Sequence, residues 1–133
     1  MPKTLSNDSD FSIRNLTGKR VATTSFRDIK RTVLGKQYEL SLVFISPARA
    51  RALNKKHRGK TYVANVLSFA LPKKSGEMFI CPEVAAKEAS QFGRSTKKHT
   101  ADLFIHGLFH LKGLPHGSRM ERQEAHIRTF FKF

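Results

Sequence analysis

Of the 133 residues in this chain only one, Cys81, is a cysteine. No intramolecular disulfide is possible, and the chain suits a reducing compartment. The lone thiol reads as a small buried apolar residue before it reads as a nucleophile. Long apolar runs are missing as well: none approaches the roughly 18 to 20 residues that cross a bilayer. The opening MPKTLSNDSD has no apolar centre, so neither a leader nor a membrane anchor is expected there, and a cytoplasmic location is. Repeats and low-complexity tracts are absent. The length fits one domain, enough to bury about two-thirds of the unfolded surface. Residues 1–10 are expected as a flexible N-terminus, and 11–133 as the domain.

Acids are scarce too, at 10 against 25 Lys plus Arg, for a formal charge of +15 in a chain whose 39% apolar content is that of a globular protein. Such an excess points to a polyanionic partner. The cations recur in ARARALNKKHRGK (48–60), PKK (72–74), GRSTKKH (93–99) and GSRMERQ (117–123), near expected turns and helix ends. A membrane surface is a poorer match, because no basic helix keeps a Leu/Phe-rich opposite face free of core duties.

Strand and helix patterns alternate along the chain. FSIRNLT (11–17) alternates as a strand does, and TTSFRDIKRTVLG carries Phe26, Ile29 and Val33 at helical spacing up to Gly35. YELSLVFIS (38–46) is β-branched and aromatic enough for a central strand. Ser46 and Pro47 then start a helix that ends near Gly59. ANVLSFAL (64–71) and MFIC (78–81) read as two strands joined by a turn around 73–76. Pro82 opens a helix stopped by Gly93, a further helix runs from Thr96 to Lys112, and RMERQEAHIRTFF makes the last. The pattern predicts an α/β (α+β) domain with a small mixed sheet of about four strands covered by helices.

HGLFHLKGLPH (106–116) holds three of the six histidines. On the helix 96–112, Ala101, Phe104, Ile105 and Leu108 share one face, while His106 and His110 lie one turn apart on the other side, near Leu103. Apolar on so many sides, the helix is expected to be buried. A straight helix cannot bring His116 to the same point. Gly113 can, by taking the left-handed conformation that reverses the chain, and Pro115 keeps the helix from resuming. Three neutral nitrogens with a fourth position open describe a catalytic zinc site, one ion per chain, at a helix C-terminus. His57, His99 and His126 lack such companions and are expected at the surface. The histidine spacing equals that of the extended zinc-protease motif, but Gly107 stands where that motif carries its general-base glutamate. With no acid in the stretch, the site suits a substrate that is already anionic.

HGLFHLKGLPH resembles the HGxLHLxGxDH motif of the YbeY family of metal-dependent endoribonucleases of ribosome maturation. HRGKTYVANVLSF (57–69) resembles that family's second block, and GEMFICPEVAAKEA (76–89) looks like its glycine-acid-isoleucine strand and following helix. The likeness runs from about residue 38 to the last helix. It implies an α/β fold with a small central sheet, zinc on His106, His110 and His116, and Arg58 as a functional residue in the cleft facing the metal. The implied partners are single-stranded RNA, ribosomal RNA in particular, and the small ribosomal subunit. Phe109 stands where leucine is usual, and Pro115 and Glu77 each replace an aspartate.

The residues permit the same chemistry on their own terms. An ion at the histidines can supply hydroxide near neutral pH or polarise a phosphoryl oxygen for attack by a ribose 2′-hydroxyl. Arg58 offers paired planar donors to phosphate oxygens, or is one more basic surface residue. Lys55, Lys56 and Lys60 are placed at the cleft rim as backbone contacts for RNA. Asn65 and Ser68 either orient groups near the site or cap strand ends. Two other functions stay open: a non-catalytic, ribosome-associated RNA-binding protein with a structural zinc, and another zinc hydrolase, of which a protease is disfavoured by Gly107.

Overall fold

The computed structural model describes residues 3–133. Five strands and five helices follow one another as β1 (Lys3–Asn7), β2 (Phe11–Asn15), α1 (Phe26–Leu34), β3 (Glu39–Phe44), α2 (Pro47–Arg58), β4 (Val66–Leu71), β5 (Ser75–Ile80), α3 (Pro82–Gln91), α4 (Thr96–Lys112) and α5 (Ser118–Phe130). They form one mixed sheet in the order β1-β2-β3-β5-β4. β2, β3 and β5 run parallel, and β1 and β4 close the two edges antiparallel to their neighbours. Among the described residues no helix is long and apolar enough to cross a membrane.

The sheet has one strand more than the sequence suggests. KTLSN was expected within a flexible terminus because it carries a single apolar residue, Leu5, and an edge strand can be polar on the side it turns to water. Its ladder to β2 supplies the order that its composition does not announce. β5 likewise begins at Ser75, ahead of its apolar run, because register with β3 extends the pairing to Glu39↔Ser75. The tight connection between β4 and β5 is therefore 72–74.

Alternation along the strands sends apolar side chains to both faces. Phe11, Ile13, Leu40, Leu42, Phe44, Met78 and Ile80 pack with residues of α1, α4 and α5 in the larger core. Val43, Ile45, Phe79 and Cys81 pack against Ala50 and Leu53 of α2 in a smaller one. Cys81 is buried, in keeping with its packing role. α2 starts where Ser46 accepts the Arg49 N–H at 3.3 Å with Pro47 in the first turn, and stops at Gly59. α4 is the central helix and touches α1, α3, α5, β4 and β5. Phe104 on it stacks flat on Phe26, centroids 4.3 Å apart, and tilts against Phe11 at 5.9 Å. Truncating such a core ring costs about 3–5 kcal/mol.

One charged cluster is set inside the apolar packing. Lys30 on α1 is fully buried, and its ammonium donates to Asp10 Oδ2 at 3.0 Å, to the Gly35 carbonyl at 2.9 Å and to the Tyr38 carbonyl. Arg31 adds a two-pronged contact to the same carboxylate, at 2.9 and 2.8 Å. These donors hold the Asp10 carboxyl well below its ordinary range, the Arg31 hydrogen bonds contributing most and burial opposing them. Because the folded value is depressed, the stabilisation is fully present above the unfolded value near 4 and is lost as pH falls below it.

Asp10→Ala should therefore cost about 3–5 kcal/mol, the penalty for leaving a buried charge without its partner. Thermal melting should show the variant less stable at neutral pH and losing less than wild type between about pH 4 and pH 2. Identical acid sensitivity in the two proteins would place the acid-labile carboxylates elsewhere.

Candidate active site

The helix α4 brings the first two histidines together by pitch alone. His106 and His110, one turn apart, bring their Nε2 atoms to 3.0 Å from each other, with ring centroids 4.6 Å apart. Gly113 then ends the helix with φ 93°, its N–H donating to the His110 carbonyl at 3.0 Å while Leu114 N–H donates to the Phe109 carbonyl at 3.2 Å. This is the crossed pair of bonds that reverses a chain at a left-handed glycine. The reversal carries His116 back, to centroid separations of 4.5 Å from His110 and 5.2 Å from His106. One ring nitrogen from each of the three lies within 4.8 Å of the others, an arrangement that could hold a metal ion.

The donor set suits such an ion. Two imidazole nitrogens bound at about 2.0–2.1 Å to one tetrahedral centre stand about 3.3 Å apart, close to the observed approach. Burial, followed by the neighbouring His106, His116 and Arg58, lowers His110 to about 4, so its ring is neutral at pH 7 with a lone pair to give. His106 Nδ1 lies 3.1 and 3.2 Å from the two oxygens of Glu124, a carboxylate on α5 that is only 8% exposed. A carboxylate can only accept, so this contact favours the tautomer with the proton on Nδ1 and the Nε2 lone pair turned to the site. Among the described residues no Lys or Arg pairs with Glu124. A cation on the far side of the imidazole would supply the opposite charge that this buried carboxylate lacks.

Glu124 is an acid at the histidines that lies outside the stretch 106–116 and that the sequence reading does not name. It was missed because it lies 18 positions from His106 on another helix. Its signal was present: Met120, Glu124 and Ile127 are spaced along one helical face, and all three are buried. An acid on an apolar stripe needs a partner. Position 115, where the family motif has an aspartate, is exposed here and holds proline.

A cavity of about 360 Å³ opens beside the three histidines and is also lined by Arg58, Tyr62, Asn65, Ser68 and Leu103. Arg58, at the last position of α2, thus reaches the cleft that holds the histidines. Lys55, Lys56 and Lys60 are exposed and lie outside the cavity lining. The two roles left open for Asn65 and Ser68 separate in the structure. Asn65 is fixed structurally: its Nδ2 donates to Glu88 at 3.1 Å and its Oδ1 accepts Val66 N–H at 2.7 Å. Ser68 Oγ is buried beneath Gly107 of α4 and has no hydrogen-bond partner among the described residues. His57 and His126 are exposed, as expected. His99 is not: it is buried, with Nε2 2.9 Å from Glu88 and Nδ1 3.4 Å from Arg94, because its position on α4 faces α3.

The structure also gives Gly107 a steric reason. A Cβ there would lie 2.7 Å from Met78 Cε and 2.8 Å from Ser68 Oγ, so α4 meets the sheet at this point without room for a side chain. The glutamate of the zinc-protease motif does not fit this packing.

A family model described as Endoribonuclease YbeY matches residues 4–129. The chain belongs to the YbeY endoribonuclease family. The endoribonuclease YbeY of Neisseria meningitidis serogroup C is 41% identical over 100 residues, covering 67% of this chain and 57% of that protein. The YbeY of Chromobacterium violaceum is 34% identical over 100 residues, covering 69% and 60%. The YbeY of Spiroplasma citri is 30% identical over 132 residues, covering 89% and 82%. The matched stretch thus spans somewhat more than half of the Neisseria and Chromobacterium proteins. In fold the chain is similar to a Thermotoga maritima protein solved in solution, with TM-score 0.60, 21% identity and coverage of 90% and 91% of the two chains. The YbeY likeness read from the two sequence blocks therefore holds.

If Glu124 orients His106 for a metal, Glu124→Ala should weaken metal binding by about 10 to 100-fold with the three histidines untouched. Competition with a chelating dye measures this, with Glu121→Ala, an exposed acid on the same helix, as the control. Equal affinity in both variants would remove Glu124 from the site.

Proposed function

We propose that this protein is a zinc-dependent endoribonuclease that cuts single-stranded RNA, ribosomal RNA in particular, during maturation of the small ribosomal subunit in the cytoplasm. The observation that carries the reading is the convergence of three imidazoles on one point beside a cavity with Arg58 on its rim. Membership of the YbeY family and the +15 charge support RNA as the substrate.

His106, His110 and His116 would hold the ion, the all-nitrogen set of a catalytic zinc site with one position left open. When bound, zinc supplies Lewis acidity at a phosphoryl oxygen and makes water acidic enough to react near pH 7. Glu124 keeps the His106 proton on Nδ1. The Arg58 guanidinium meets the phosphate oxygens, where negative charge grows as the transition state forms. A cavity of about 360 Å³ matches a nucleotide unit rather than the width of a duplex, which favours unpaired RNA.

His110→Ala should lose zinc by elemental analysis and lose cleavage with it. Arg58→Ala should keep zinc and the melting profile, bind RNA nearly as well, and cleave roughly 100 to 1,000-fold more slowly in single turnover at saturating enzyme, as when one transition-state donor is removed. Cleavage at the wild-type rate by Arg58→Ala would reduce that residue to part of the basic rim. RNA left intact by the zinc-loaded wild type, with casein cut instead, would overturn the nuclease reading.

A further inference from the structure

The histidine cavity has a larger neighbour. A groove of about 690 Å³ lies between the β1–β2 edge, the loop 17–22 and the starts of α3 and α4. Its rim carries Lys3, Lys19, Arg20 and Lys97, and no acid lines it. All four cations are exposed, and among the described residues none pairs with a carboxylate. Leu5, Val21, Ala22, Pro82 and Ala86 give it an apolar floor. Four unneutralised cations beside one apolar surface cost self-repulsion and serve no packing purpose. Phosphates over the cations and a base or sugar on the floor complement both features.

The register of the sheet puts this groove and the histidine cavity along one edge. Asn15 ends β2, Lys3 pairs with Asn15, and Pro82 follows the end of β5, all at the carboxyl ends of the parallel strands. Val66, on the wall of the histidine cavity, pairs with Ile80 at that same edge. From β1 to β4 the sheet is four strand spacings wide, about 15 to 20 Å. A small single-strand-binding domain tracks about 4 to 16 nucleotides. The loop is also held in shape, since Asn15 Nδ2 donates to the Lys19 carbonyl at 2.7 Å and Asn15 Oδ1 accepts from Thr17 N–H and Oγ1–H at 2.9 and 2.6 Å.

We propose that the groove is a second binding site for the same single-stranded RNA, holding a segment several nucleotides from the phosphate presented to Arg58 and the histidines. It rests on the reading of the protein as a ribonuclease and adds an anchoring site that the cleavage centre does not contain. Its contribution is to affinity, not to the chemical step.

The test uses three variants: Lys19→Glu/Arg20→Glu, Lys97→Glu on the opposite wall, and Lys73→Glu/Lys74→Glu on the β4–β5 turn, which changes net charge as much as the first but lies outside the groove. Anisotropy with a labelled single-stranded 12-mer, in an Arg58→Ala background to keep the RNA intact, should show the groove variants binding at least tenfold more weakly. The salt slope of the double variant should be shallower by about 1.4, at about 0.7 for each phosphate no longer neutralised. The turn variant should change little. In the zinc-loaded protein with Arg58 intact, the groove variants should raise KM for the 12-mer at constant kcat and leave kcat/KM for a dinucleotide unchanged. Equal losses in groove and turn variants would mean that net charge alone acts, and would overturn the proposal; so would equal effects on the dinucleotide and the 12-mer. Groove-dependent binding of the 12-mer by a wild-type protein that cuts no RNA would leave the groove standing and refute the ribonuclease reading instead.

Discussion

Everything at the candidate site depends on burying α4. This helix lies against the sheet and is covered by α1, α3 and α5, so nine of its seventeen residues are buried and it cannot rotate without uncovering Phe104, Ile105 and Leu108. Core packing at near-crystalline density fixes a side chain's direction far better than a surface contact does. With those residues pointing inward, His106 and His110 face the β4 edge, where α4 lines the cavity shared with Arg58 and Ser68. The convergence of the histidines is thus a by-product of hydrophobic packing.

Four of the ten acids act as internal fasteners. Asp10 ties the start of β2 to α1 through Lys30 and Arg31, Asp102 takes Arg94 and Arg128, Glu88 joins Asn65 to His99, and Glu124 holds His106. No acid lines either the histidine cavity or the groove at the β1–β2 edge. The positive charge is therefore not diluted where an anion would arrive. Both openings lie at the carboxyl edge of the parallel strands, a common place for ligands in sheets of this kind.

What could be read from the sequence was what is local. The three histidines fall within eleven residues, and helix pitch together with one left-handed glycine is enough to gather them. The α2 boundaries followed from Ser46, Pro47 and Gly59 for the same reason. Residues whose role comes from a neighbour in space were hidden. Glu124 acts through a ring on another helix, His99 is buried because α3 happens to cover it, and KTLSN becomes a strand only because β2 offers it a ladder. The β1–β2 groove could not be seen at all, since its four cations are drawn from a strand, a loop and a helix up to 94 positions apart.

Gly107 has a consequence for how such a protein can change over generations. The histidine spacing here equals that of the extended zinc-protease motif, and on paper one substitution, glycine to glutamate, separates the two. Met78 and Ser68 already occupy the space that the new side chain would enter. A new side chain would displace the flexible tip of Met78 and meet Ser68 Oγ, so the neighbouring strands would have to adjust with it, and contacting substitutions of this kind do not add independently. Two chemistries one codon apart in the motif are therefore several coordinated steps apart in the fold, and the intermediate sequences would be poorly packed. The packing at Gly107 thus stands against that exchange, whatever reaction the histidines serve.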